Sequence, residues 1–152
     1  GTDWSGNIGP GGTGGVGSTD QFNGAVFGNT YFVLAGDGGN IFFTTDPTAP
    51  GKWNGPVGPT GTTLRGAGYG GNRFVVTGNG GTTFYSVGNP GSWSSDTGPG
   101  GLGDVYGVAY GNGRYVIVGS SAQLHWSTDA GETDPWHNVS GYSNIYGIVF
   151  RP

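Results

Sequence analysis

The fold is decided by the stretch Gly66-Ala67-Gly68-Tyr69-Gly70-Gly71-Asn72-Arg73-Phe74-Val75-Val76, because similar stretches occur before and after it in the chain at a nearly fixed distance. Its opening pentapeptide has equivalents that begin at Gly24, at Gly107 and, incompletely, at Gly147. The successive leading glycines are 42, 41 and 40 positions apart (66−24, 107−66 and 147−107). A period in this range is typical of units that bury their apolar face only by stacking on neighbours.

Each repeat predicts three strands and a short fourth. The first strand ends in an aromatic residue and a glycine, and the asparagine in the turn that follows tolerates the positive φ of a two-residue hairpin. The second and third strands are runs of β-branched and aromatic residues, as a half-buried pleated surface favours. A tryptophan then follows the leading glycine by 29, 27 and 29 positions, as Trp53, Trp93 and Trp136. Because no helical period occurs, we predict an all-β chain whose repeats are the blades of a β-propeller.

The repeats divide the chain into a glycine-rich arm, residues 1–21, and a propeller-like domain, residues 22–152. We predict blades at 22–63, 64–104 and 105–144, with a partial strand at 145–152. In the arm, Trp4 precedes a repeat and is a candidate for a closing strand. Three blades fall short of the roughly four to eight of known propellers. Three alternatives therefore stay open: part of a larger propeller, a propeller completed by another copy of the chain, and a small or open variant.

Composition excludes several classes of function. Five Lys and Arg against nine Asp and Glu give a net charge of −4, so we expect neither nucleic-acid binding nor membrane insertion. The chain has no cysteine and only two histidines, His125 and His137, so we expect no metal and no cofactor. Low charge, abundant glycine, threonine, asparagine and serine, and aromatic β-repeats are similar to phage tail, fibre and capsid-decoration proteins. That composition suggests an extracellular or virion-associated location.

One stretch resembles a known motif. Ser127-Thr128-Asp129-Ala130-Gly131-Glu132-Thr133, with Trp136 close behind, resembles the Asp-box (BNR) motif, S-x-D-x-G-x-T-W. In sialidase-like and related propellers this motif forms the turn between the third and fourth strands, on the outer rim. The resemblance therefore implies a structural role and no catalytic site for five residues: Ser127, Asp129, Gly131, Thr133 and Trp136. Thr44-Thr45-Asp46 with Trp53 is a degraded copy, and the stretch from Ser86 to Trp93 lacks the aspartate.

Aromatic columns are the candidate binding residues. Phe43, Tyr85 and Trp126 align, and adjacent strand positions face opposite sides, so most of these rings are expected in the core between blades. A ring that stays exposed could stack on a sugar, and the candidates are Trp4, Tyr85 and Trp126.

Catalysis is not expected. Sialidases use three arginines, an acid/base aspartate and a Tyr–Glu nucleophile pair, but Arg73 and Arg114 here share one repeat column, as a structural role predicts. The only glutamate, Glu132, lies in the Asp-box turn.

Three functions remain in consideration. The first is a non-enzymatic structural or adhesive protein that acts by assembling with copies of itself or with other chains. The second is a propeller lectin that binds surface glycans in clefts between blades. The third is a fragment of a sialidase-like glycoside hydrolase. The low charge and repeated columns favour the first.

Overall fold

The structure, a computed structural model, describes residues 21–49, 51–58, 61–96, 98, 103–121 and 124–151. In these residues the chain forms three four-stranded antiparallel sheets, each a meander of consecutive strands. Blade 1 contains β1 (Phe22–Gly28), β2 (Tyr31–Gly36), β3 (Ile41–Thr44) and β4 (Asn54–Val57). Blade 2 contains β5 (Leu64–Gly70), β6 (Arg73–Gly78), β7 (Thr83–Val87) and β8 (Ser94–Ser95). Blade 3 contains β9 (Val105–Gly111), β10 (Arg114–Gly119), β11 (Leu124–Ser127) and β12 (His137–Asn138).

This architecture confirms the predicted all-β, propeller-like fold with three full blades. The short fourth strand begins directly after the repeat tryptophan in every blade. Trp4 and the closing strand predicted for the arm lie outside the described residues.

The first hairpin of every blade turns in two residues, both with positive φ. The pairs are Asn29–Thr30 (44° and 70°), Gly71–Asn72 (51° and 63°) and Asn112–Gly113 (49° and 72°). Positive φ at both central residues defines the type I′ turn, whose twist matches the flanking strands. The asparagine in each turn therefore has the role expected from the sequence.

The second hairpin is longer than its Asp-Gly signal indicates. Ala35 pairs with Ile41, and the residues between them include a 3-10 turn over Asp37–Gly39. Blade 2 repeats this arrangement with a 3-10 turn over Asn79–Gly81. The glycines supply positive φ inside a wider loop, so the dipeptide marks the hairpin without fixing its length.

The blades stack face to face through two apolar clusters. Alternate residues of β6 face opposite neighbours, so Phe74 and Val76 pack against blade 1 while Val75 packs against blade 3. Phe74 and Tyr115 are completely buried at these boundaries. Each such ring removes roughly 150–250 Å² from water, an upper bound of about 4–6 kcal/mol at ~25 cal/mol/Å². Stacking is therefore the main source of cohesion between the sheets.

Glycines let the innermost strands β1, β5 and β9 approach closely. A Cβ on Gly66 would lie 3.0 Å from the Cα of Gly107. At the end of each inner strand, an aromatic ring of the next repeat covers a glycine. A Cβ on Gly70 would lie 2.0 Å from the ring of Tyr110, and one on Gly28 would lie 2.0 Å from the ring of Tyr69. We call this contact the ring socket.

The C-terminal segment, residues 145–150, takes the place of the inner strand of a fourth blade. Phe150 fills a third ring socket, because a Cβ on Gly111 would lie 2.1 Å from its ring. Ile148 lies beside Gly107, at 3.5 Å from the position of an added Cβ. Residues 145–150 thus pack on β9 in the register of the repeat, but they form no β-ladder, so the predicted partial strand is matched in position and not in secondary structure.

Two hydrogen bonds support the same equivalence. The backbone N–H of Gly80 in blade 2 donates to the carboxylate of Asp104, three positions before a leading glycine, at 3.1 Å. The backbone N–H of Ser121 in blade 3 donates to the side-chain oxygen of Asn144, again three positions before a leading glycine, at 2.9 Å. The fourth repeat therefore begins like the others.

Candidate functional site

The Asp-box residues form one hydrogen-bonded turn between β11 and β12. The buried hydroxyl of Ser127 accepts from the N–H of Gly131 at 2.9 Å and donates to the backbone oxygen of Asp134 at 2.8 Å. The carboxylate of Asp129 accepts from both the N–H and the hydroxyl of Thr133, at 2.8 and 2.6 Å. The side chains of Ser127, Asp129 and Thr133 are thus engaged in holding the turn.

The carboxylates of this turn have lowered pKa values, so they are ionised hydrogen-bond acceptors. Burial alone would raise the pKa of Asp129, but hydrogen bonds from Thr133, Asp134 and Ser127 outweigh it and lower that pKa below its usual value. The side chain of His137, together with hydrogen bonds from Thr128, lowers the pKa of Asp134 to about 2. Both groups are ionised at neutral pH, as an acceptor in a turn requires.

Trp136 connects the Asp-box turn to the preceding blade. Its ring packs against the apolar cluster between blades 2 and 3. Its indole N–H donates to the carboxylate of Asp96, which belongs to blade 2. Through Trp136, the Asp-box turn of blade 3 therefore contacts and stabilises blade 2.

Tyr85 lies at the boundary between blades 2 and 3. The guanidinium of Arg73 lies 5.1 Å from the centre of the Tyr85 ring and forms an ion pair with Glu132 of the Asp-box turn. The Tyr85 hydroxyl donates to the same carboxylate at 3.2 Å. Burial, followed by the hydrogen bond and charge of Glu132, raises the pKa of Tyr85. A raised pKa keeps the phenol protonated, which opposes its use as a nucleophile.

An open cleft on blade 2 borders this ring. Besides Tyr85, it is lined by the exposed Val87, by Gly91 and by four hydroxyl or amide side chains, namely Ser86, Asn89, Ser92 and Ser94. Tyr85 thus contributes both to the contact between blades and to the wall of a cleft of mixed polarity.

Trp126 lies on the face of blade 3 opposite to blade 2. The Arg114 guanidinium lies 4.9 Å from its ring centre, and the His137 ring stacks on it at 4.2 Å with planes inclined by 22°. Tyr85 and Trp126 therefore occupy two different blade faces, and they do not form one site. Trp4, the third residue predicted to stack on sugars, lies outside the described residues.

Blade 1 exposes an aromatic pair that the other blades bury. Phe27 and Phe32 contact each other with ring centres 4.6 Å apart, as do Tyr69 with Phe74 (4.6 Å) and Tyr110 with Tyr115 (4.7 Å). The second and third pairs pack against the preceding blade. The first has no preceding blade in the described part of the chain, and Phe27 is 59% exposed.

A row of side chains along the inner strands was missed by the sequence analysis. Each inner strand carries one extra residue between two ladder pairs, a β-bulge, immediately before its leading glycine. Bulges re-aim a side chain away from the face of the sheet. The bulge residues and their equivalent in the C-terminal segment line one open pocket, and we call them the bulge row: Asn23, Arg65, Tyr106 and Tyr146.

The sequence does contain a signal for this row. The column before the leading glycine reads Asn, Arg, Tyr, Tyr, whereas the columns after it keep glycine, then small or apolar residues, then an aromatic ring. Matching columns serve the stacking that every blade shares, so a varying column at the inner strands is the better place to look for chemistry specific to this protein.

Among the described residues, no cluster of three or more His, Cys, Asp or Glu side chains could hold a metal ion. In the same part of the chain, no helix has the length and apolarity to cross a membrane.

The chain matches no protein-family model, and no curated protein matches it. Its structure is similar to "YCF48 bound to D1 peptide", with a TM-score of 0.63 and 17% identity over 82% of this chain and 42% of that one. YCF48 from Cyanidioschyzon merolae gives 0.58 and 16%, over 82% and 40% of the two chains. The extracellular domain of BT4673 from B. thetaiotaomicron, described as a hybrid two-component system, gives 0.57 and 17%, over 86% and 18%.

At these identities the likeness concerns the fold alone. The chain spans about two fifths of the YCF48 structures it matches. Three stacked four-stranded sheets, a C-terminal segment that packs on β9 in the register of the repeat, and likeness to β-propellers together show a propeller-type protein.

Proposed function

We propose that this chain is a non-enzymatic structural or adhesive protein of an extracellular surface or virion, which acts by assembling through its open blade faces with copies of itself or with other chains. One observation carries the proposal. The Phe27–Phe32 pair repeats the geometry of two pairs that pack between blades, yet it is exposed. An exposed apolar surface built like an interblade contact is typical of an interaction site.

The opposite end of the stack argues against simple head-to-tail addition of copies. Arg151 stands four positions after Gly147, where the earlier repeats have the socket glycines Gly28, Gly70 and Gly111. A second copy stacked there in register would bring its Phe27 against Arg151, without the space that a glycine leaves. For copies of the chain, the proposal therefore favours a symmetric contact in which two blade 1 faces meet.

Sedimentation velocity at micromolar concentrations tests self-association. We expect a dimer or larger species, and we expect Phe27→Ser to weaken it by about tenfold or more in dissociation constant, as for a central aromatic contact. Tyr142→Ser is the matched control, since Tyr142 is 50% exposed and lies far from blade 1 in the chain. A stable monomer for the unaltered protein would remove the self-association part of the proposal.

Engineered cysteines test the symmetric contact, because the chain has no cysteine of its own. Ala25 is exposed and lies two residues before Phe27, on the same face of β1. We expect Ala25→Cys to form a disulfide-linked dimer on mild oxidation, and Ser140→Cys, an exposed position on blade 3, to remain unlinked. Equal linking of both variants would contradict the symmetric contact.

A second candidate, glycan binding in clefts between blades, is favoured by the cleft of mixed polarity beside Tyr85. A glycan array tests it. If that cleft is the binding site, Ser94→Ala and Tyr85→Phe should each abolish the binding of glycans on the array.

A further inference from the structure

The bulge row is separate from the open face of blade 1, so an inference about it does not rest on the proposed assembly. Its aromatic part consists of Tyr106 and Tyr146, whose rings stack with centres 5.3 Å apart and planes inclined by 13°. Tyr146 is 73% exposed. The pair therefore forms a flat platform with one side of the Tyr146 ring open to solvent.

Polar groups adjoin this platform. The guanidinium of Arg65 lies 5.6 Å from the centre of the Tyr106 ring. It is positioned by two partners, since its Nε donates to the side-chain oxygen of Asn79 and its Nη2 lies 3.6 Å from the carboxylate of Asp104. The side chains of Arg65 and Asp104 are both about one third exposed. The platform is thus bordered by the donors of Arg65 and by the carboxylate of Asp104, which adjoins the row.

The first member of the row is also held in place. The side-chain NH₂ of Asn23 donates to the carboxylate of Asp37 and to the backbone oxygen of Leu64, both at 3.0 Å. The second of these bonds joins blade 1 to the inner strand of blade 2. Held side chains lose less conformational entropy on binding, which favours a site over an incidental surface.

Charge decides what kind of ligand suits the row. The Arg65 cation is paired with the Asp104 anion, the carboxylate of Asp37 lies beside Asn23, and the chain as a whole carries a net charge of −4. An anionic ligand would meet Asp104 and the overall negative charge, and a cationic ligand would meet Arg65. A neutral ligand with both hydroxyl donors and hydroxyl acceptors meets neither penalty.

We infer that the bulge row binds a neutral sugar, with the Tyr146 ring stacked on an apolar face of the pyranose and Arg65 and Asp104 hydrogen-bonded to its hydroxyls. A sugar ring has the required combination of a C–H face and a rim of hydroxyl groups. The strands that carry the row, β1, β5 and β9, are edge strands of their sheets, where an extended peptide would bind through main-chain groups; the peptide probe below tests that alternative.

Saturation-transfer difference NMR on the 152-residue chain tests this inference. The probes are the methyl glycosides of β-glucose, β-galactose, α-mannose and β-N-acetylglucosamine at roughly 10 mM, a range that detects weak binding. N-acetylneuraminic acid and a capped penta-alanine peptide serve as the anionic and peptide probes. We expect transfer to at least one neutral glycoside, strongest at the protons of one face of the ring.

Three variants locate the binding. Tyr146→Ala should weaken the affinity for that glycoside by about tenfold or more, while Tyr146→Phe, which keeps the ring, should retain most of it. Tyr142→Ala is the matched control, a tyrosine of similar exposure outside the row, and it should bind as the unaltered protein does. An unchanged thermal midpoint in all three separates loss of the site from loss of folding.

Several results would overturn the inference. One is the absence of transfer to every neutral glycoside. A second is stronger binding of N-acetylneuraminic acid or of the peptide than of any neutral glycoside. The third is equal loss of binding in the Tyr146→Ala and Tyr142→Ala variants.

Discussion

Gly70→Ala is the sharpest test of how the blades are held together. Gly70 ends the inner strand β5, and the ring of Tyr110 from the next blade covers it. A Cβ at this position would lie 2.0 Å from Cδ1, 2.1 Å from Cγ and 2.7 Å from Cβ of Tyr110. The φ of Gly70 is not in the left-handed region, so alanine suits the backbone and only the ring opposes it.

The size of the effect follows from these distances. Carbon atoms pack at about 3.5–4.0 Å, so the ring must retreat by roughly 1.5 Å. Its base, rather than its flexible end, is the part that clashes, and Tyr110 also packs on the buried ring of Tyr115. Overpacking of this kind destabilises a protein by about 1–3 kcal/mol. Alanine in a strand is itself about 0.5–1 kcal/mol more favourable than glycine, which offsets part of that loss. We expect a net loss of about 2 kcal/mol.

Thermal unfolding followed by near-UV circular dichroism measures this loss. For a chain of this size, 2 kcal/mol corresponds to a decrease of about 4–8 °C in Tm. Gly147→Ala is the control, because Gly147 belongs to the fourth repeat and no atom lies within 4 Å of an added Cβ. Its Tm should stay the same or rise.

A double-mutant cycle isolates the contact. In a Tyr110→Ala background the ring is gone, so Gly70→Ala should no longer destabilise the protein, and the coupling free energy should equal most of the single-mutant cost. The ring-socket explanation is refuted if Gly70→Ala leaves the Tm within about 1 °C of the unaltered protein, or if the cost persists without Tyr110.

Two further predictions concern charge. The folded-state pKa values of Asp129 and Asp134 lie below the unfolded value of about 3.9. The stability that these two carboxylates contribute is therefore present above pH 4 and is lost as the pH falls towards 2. The Tm should fall across this window, and it should fall less steeply in Asp129→Asn; equal slopes in the two proteins would contradict the assignment. Glu132→Gln should lower the Tm by about 2–4 °C at low salt, since it removes the charge that pairs with Arg73, at a cost of about 1 kcal/mol. The difference should shrink in 1 M salt. Arg114→Gln is the comparison variant, because Arg114 shares the repeat column and lies over the Trp126 ring but has no ion pair in the described chain; its effect on Tm should change less with salt than that of Glu132→Gln.

Local features of this protein could be predicted from the sequence because their causes are local. Asn72 indicates its turn since few residues tolerate the positive φ of a type I′ turn. The run Arg73 to Val76 indicates a strand, and its spacing from the equivalent runs indicates stacked repeats. The Asp-box residues likewise satisfy one another over only eight positions of chain, from Ser127 to Asp134.

Features that depend on distant neighbours could not be predicted in this way. The loop between Ala35 and Ile41 is wider than its Asp-Gly pair indicates, because the pairing of β2 with β3 sets its length. The Arg73–Glu132 ion pair joins residues 59 positions apart, and only the stacking of blade 3 on blade 2 brings them together. Repeat columns indicated that Arg73 is structural, but gave no partner for it.

By itself, the sequence determined the all-β repeat, the turn positions and the spacing of the blades, since each follows from backbone preferences and apolar periodicity within about forty residues. Only the tertiary structure decided which column forms the bulge row, which glycines become ring sockets, and that residues 145–150 pack on β9 without forming a ladder. The physical reason is that these properties belong to contacts between blades. A glycine becomes a socket, and a bulge residue becomes part of a surface, only when the next blade is in place.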